Sequence, residues 1–193
     1  MDNFLDNVDK EKIDELFAET TANVTYFKNT VDKVVNSCSA PLDEIMNNIY
    51  NDIINADQPP LNTLERYFLE LSNCLYYMGD KLETLGIYDA MSKQAYKEVY
   101  NRYYLDAGDC KVDTKKKPTV AEITAVAETS SQYEGIVNDL YSRAYKILKN
   151  KIDAANTMLS SISKIISKRM AEMQLTSTTP TGKQILNESV LPF

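Results

Sequence analysis

From Glu11 to about Asn36 the apolar residues Ile13, Leu16, Phe17, Val24, Phe27, Val31, Val34 and Val35 recur by threes and fours, which predicts an amphipathic helix. Asn36-Ser37-Cys38-Ser39-Ala40-Pro41 then reads as a breaker, with Pro41 suited to the first turn of the next helix. That shorter helix carries Leu42, Ile45, Met46, Ile49 and Ile53 and ends at Asp57-Gln58-Pro59-Pro60. From Leu61 the spacing sharpens. Leu64, Phe68, Leu71, Leu75, Met78, Leu82 and Leu85 alternate steps of four and three, the seam of a left-handed coiled coil and a candidate packing or oligomer surface. Gly86 interrupts this register, and Tyr88, Met91, Ala95, Val99 and Tyr103 resume it with an offset, so the third helix runs on, kinked, to about Leu105.

Residues 106–118 combine a glycine, three aspartates and Lys115-Lys116-Lys117 with no apolar period, which predicts a turn. Thr119-Val120-Ala121-Glu122 has the form of a capping box. Val137, Tyr141, Ala144, Leu148, Ile152, Ala155, Leu159, Ile162, Ile166, Met170 and Met173 then hold one helical stripe to about Gln174, with Gly135 marking a bend. A helix of that length spans ~80 Å and cannot bury its stripe alone. The expected fold class is therefore all-α: a long antiparallel, coiled-coil-like helical hairpin at 61–175 with its turn at 106–118. An acidic N-terminal helical pair at 1–57 precedes it and a flexible tail at 176–193 follows, the whole completed by homo-oligomerisation. In the tail, Ile185, Leu186, Val190, Leu191 and Phe193 form a candidate docking peptide.

Charge changes this picture. The net of −7 is unevenly placed: residues 1–90 hold 6 Lys/Arg against 17 Asp/Glu, and residues 91–193 hold 15 against 11. Within 140–170, seven cations (Arg143, Lys146, Lys149, Lys151, Lys164, Lys168, Arg169) meet only Asp153. Such asymmetry fits a polyanion-binding surface, a solvated helix face, or complementary halves that pair in an oligomer. Tyr96, Tyr100, Tyr103 and Tyr104 beside Lys97 and Arg102 supply rings that either stack bases or pack the core with their hydroxyls wet.

The chemistry of catalysis is missing. The chain has no histidine, which excludes histidine-based triads and general bases, and it has neither a Walker-type nor a Gly-x-Gly-x-x-Gly phosphate cradle. Cys38, Cys74 and Cys110 stand singly, without metal spacing, and suit a reducing compartment. No catalytic residue, metal or cofactor is expected. The acidic start and the lack of a long apolar run predict no membrane association and a cytoplasmic location.

Leu71-Ser-Asn73-Cys-Leu75-Tyr76-Tyr77, then Lys97-Glu-Val-Tyr100-Asn-Arg102-Tyr103-Tyr104, a charged turn, and a basic helix with Gln132-Tyr133, Gly135-Ile136 and Leu140 resemble in organisation the UvsY-type phage recombination mediators. The resemblance covers about residues 61–175. It implies a non-enzymatic, oligomeric, single-stranded-DNA-binding protein, in the cytoplasm of an infected host cell, that helps a recombinase replace a single-strand-binding protein. Matched positions for DNA contact are Lys97, Arg102, Tyr104, Lys115, Lys116, Lys117, Arg143, Lys146 and Lys149. The alternative is a phage structural or assembly protein, a connector or scaffold-like component of the virion that acts through other virion proteins.

Overall fold

The computed structural model describes residues 10–56, 58–109 and 118–178, and side chains among them from 18 to 175. These residues form α1 (Lys10–Ile49), a π-helical turn (Tyr50–Ile54), α2 (Leu61–Asp109), α3 (Val120–Ser130) and α4 (Gln132–Thr178), with no strand among them. The fold is all-α, and long helices pack side by side.

Contacts gather into two compact units. Of the described residues, one takes those up to Pro41 together with those of Tyr76–Ile152; the other takes those of Leu42–Leu75 together with those from Asp153 onward. In the first unit Gly86 lies under Tyr145, Tyr88 stacks on Tyr141 and Tyr96 lies against Gly135. Position rises along α2 as it falls along α4, so the two helices run antiparallel. Val31, Val35, Leu85, Ala144 and Leu148 make the core of this unit, closed by Phe27, Leu82, Leu140 and Ile152. In the second unit Leu42, Ile49, Leu64, Leu71 and Ile162 are fully buried.

The heptad residues are spent inside the chain. Leu64, Leu71, Met78 and Leu85 are buried and Phe68, Leu75 and Leu82 half-buried, joined by buried Tyr67 and Cys74, so the packed face of α2 is wider than a two-position seam. Truncating a buried leucine of this face costs about 2–5 kcal/mol. A charge at Leu75 or Leu82 consequently tests folding before it tests assembly.

Two expected breaks fall elsewhere. α1 runs through Pro41 instead of ending at 36–41, so the N-terminal pair of helices is one helix followed by a π-helical turn. Proline removes one intrahelical bond and presses on the preceding turn, and neighbouring helices support that turn: Lys81 Nζ donates to the Cys38 carbonyl at 3.1 Å, and Lys151 Nζ donates to the buried Ser39 Oγ at 2.9 Å. The long C-terminal helix, expected unbroken from Thr119, divides at Ser131 (φ −103°, ψ 11°). Ser131 Oγ donates to the Ala127 carbonyl at 2.7 Å, the acceptor that the residue's own N–H also uses. This local competition disturbs helical geometry. Gly86 and Gly135 lie inside α2 and α4 without interrupting them, each giving a tyrosine ring of the facing helix room to approach.

Candidate nucleic-acid interface

The expected start of the basic helix is a true capping box: the Thr119 side chain accepts from the Glu122 N–H, and the Glu122 carboxylate accepts from the Thr119 N–H at 2.7 Å. That backbone bond, with one from the Thr119 hydroxyl, holds the Glu122 carboxyl below the usual carboxylate range. Along α4 the stripe residues Ala144, Leu148, Ala155 and Ile162 are buried, whereas Met170 and Met173 at its end are exposed.

Arg143, Lys146 and Lys149 are all exposed. At every third residue they fan over roughly 120° of the outer surface of α4. Arg143 leans toward α1, with its guanidinium 5.8 Å from the Phe27 ring centroid. Among the described residues no carboxylate lies within ion-pair distance of Lys146 or Lys149.

The other basic residues of this stretch are engaged differently. Lys151 reaches inward to Ser39. In the second unit Arg169 donates to the Pro59 carbonyl and Lys168 pairs with Glu172 at 3.9 Å.

The α2 candidates do not form one cluster. Lys97 and Tyr104, two turns apart, share a flank, whereas Arg102 falls roughly 140° further round the helix and lies over its neighbour Tyr103 at 5.3 Å. Tyr104 stacks on Tyr100 with centroids 6.1 Å apart and planes 22° apart, and Tyr100 meets Tyr96 at 6.2 Å. The ladder is half-buried, its rings set against each other and Tyr96 against Gly135 of α4. Exposed tyrosine surface lies instead at Tyr26, Tyr50, Tyr76, Tyr77, Tyr88 and Tyr133. Lys115, Lys116 and Lys117, and the tail residues Ile185, Leu186, Val190, Leu191 and Phe193, lie outside the described residues.

Sequence reading missed a polar cluster in the second unit. The hydroxyl of buried Tyr67 donates to the Asp52 carboxylate in the π-helical turn. Arg66 stands 3.7 Å from that carboxylate and 4.7 Å over the Tyr67 ring. The hydrogen bond to Asp52, burial and the Asp52 charge together raise the Tyr67 pKa, against a smaller opposing effect of Arg66. An Arg-Tyr pair between heptad positions is the only signal the sequence offers for it.

Fold and surface define an all-α protein that presents helix faces. Among the described residues no helix is long and apolar enough to cross a membrane, and no cluster of three or more metal-ligating side chains occurs. Comparison with protein-family models, with curated proteins and with solved structures finds no match.

Proposed function

We propose that this chain is a non-enzymatic single-stranded-DNA-binding accessory protein of the recombination-mediator type, acting on a recombinase and a single-strand-binding protein in an infected cell. The observation that carries the DNA contact is the exposed run Arg143, Lys146, Lys149, whose two lysines have no carboxylate beside them. Cations without internal partners exchange their counterions for phosphates and gain the released-ion entropy. A helix face presenting three of them in two turns suits a flexible strand, which adapts to a fan of charges better than a stiff duplex does. The recombinase partnership rests on the resemblance of residues 61–175.

Arg143→Glu combined with Lys146→Glu tests the reading. In fluorescence anisotropy with a labelled oligothymidylate at low salt, the reversal weakens binding at least ~30-fold, as expected for two phosphate contacts turned repulsive. Circular dichroism stays unchanged because both side chains are exposed. Equal affinity of variant and parent contradicts the assignment.

The second reading, a structural or assembly protein working through protein contacts, is favoured by one observation: Tyr76 (75%), Ile87 (54%) and Met91 (64%) are exposed on α2. Under it, reversing Arg143 and Lys146 leaves function intact, while a charge at Ile87 abolishes it.

A further inference from the structure

Beyond α4 the chain carries an apolar segment, Ile185-Leu186-Asn187-Glu188-Ser189-Val190-Leu191, that the DNA-binding reading leaves without a use. In the second unit two grooves lie between α4 and the start of α2. One, of about 610 Å³, has Leu61, Ile165 and Met173 as its apolar lining and Lys168, Arg169 and Glu172 as its charges. The other, of about 350 Å³, is lined by Phe68, Leu69 and Ile166, with Glu65 as its charge. They occupy opposite flanks of α4, because Ile165, Lys168 and Glu172 fall roughly 150° round the helix from Ser163 and Ser167.

The path of the chain leads back to these grooves. Thr178 ends α4, and Thr179-Pro180-Thr181-Gly182 follows, with proline second and glycine fourth as a type I turn prefers. A chain reversed there returns along α4. An extended chain advances ~3.3 Å per residue and a helix ~1.5 Å, so each returning residue passes roughly two of α4. Counted from Lys183 level with Thr178, the residues Leu186, Glu188 and Val190 come level with Met173, Lys168 and Ile165 to within about a turn. Alternate residues of an extended chain share one face. That face reads apolar, acid, apolar, and the larger groove answers with apolar, cation, apolar.

Charge chooses between the two grooves. In the larger, two cations outnumber one carboxylate, whereas in the smaller Glu65 would repel Glu188. Lys168 meets Glu172 at 3.9 Å with its side chain 78% exposed, and Arg169 donates to the Pro59 carbonyl. Each keeps N–H donors for a further carboxylate. Met173 and Ile165 are exposed and give the segment apolar surface to cover. A segment tethered through a short turn has an effective concentration in the millimolar range, so weak contacts suffice to hold it.

We infer that residues 183–191 lie extended along the larger groove of their own chain, with Leu186 against Met173, Glu188 on Lys168 and Val190 against Ile165. The docking goes beyond the DNA-binding reading and stands without it.

The chain has no tryptophan, so a single one placed in the segment reports its own burial. In the full chain the fluorescence of Leu186→Trp is shielded from acrylamide, whereas that of Asn187→Trp, on the opposite face, is quenched freely. Adding Lys168→Glu to Leu186→Trp lowers the ratio of docked to free segment about threefold or more, with the helical circular dichroism unchanged. Adding Glu188→Lys as well restores the shielding, because the pair then joins opposite signs again. Shielding does not change on dilution, because segment and groove belong to one chain. Equal quenching at the two positions, shielding that survives Lys168→Glu, a charge swap that restores nothing, or shielding lost on dilution, which marks the tail of a second copy, overturns the inference.

Discussion

Tyr67 shows how much one side chain fixes. Its ring is buried in the packed face of α2, and its hydroxyl donates to Asp52, tying the irregular π-helical turn to the helix that follows. Tyr67→Phe keeps the ring and removes the bond, which costs about 1–2 kcal/mol because the acceptor is charged. The sign with pH follows from the raised pKa. An unfolded tyrosine ionises near pH 10, whereas in the fold the proton is held to higher pH. The stabilisation is therefore complete below about pH 10 and is lost as pH rises through the folded value. In urea denaturation the difference between parent and Tyr67→Phe narrows from pH 8 to pH 11; a constant difference contradicts this linkage.

At the scale of elements, the two glycines of mid-α2 separate helix propensity from packing. Gly79→Ala fills open space and raises stability by about 0.5–1 kcal/mol. Gly86→Ala gains the same propensity but pushes on Tyr145 at 3.2 Å, so its thermal midpoint lies below that of Gly79→Ala. The reverse order contradicts the close approach of α2 and α4. The pair also marks what the sequence could show. The 3.5-residue period at Leu64–Leu85 and the capping box at Thr119–Glu122 were legible because their signals are local and periodic.

Pro41, Gly86 and Gly135 were legible as residue types but not as outcomes. Whether a proline ends a helix depends on supports 40 and more residues away, here Lys81 and Lys151. Whether a glycine bends one depends on the ring set against it. Ser131 carried no signal at all. A serine inside a helical stretch is ordinary, its bond to the carbonyl four residues back is open to any helical serine, and its burial arises only once the helices are packed.

For the molecule as a whole, a net charge of −7 opposes binding to a polyanion, and what counts is which cations stay outward. The basic excess within 140–170 was visible in the sequence, but its division was not. Lys151 and Arg169 turn to Ser39 and the Pro59 carbonyl, and Lys168 meets Glu172. In the first unit Arg143, Lys146 and Lys149 remain outward. Three phosphate contacts per chain on a single strand set a slope of log affinity against log salt of about −2.

The most direct test of DNA binding by α4 is that slope, measured by anisotropy with labelled oligothymidylate from roughly 50 to 200 mM salt for the parent and for Arg143→Glu/Lys146→Glu. The parent shows about −2 per chain, and the variant binds weakly with a shallow slope. A folded parent that fails to bind at the lowest salt, or a slope unchanged by the reversal, contradicts it.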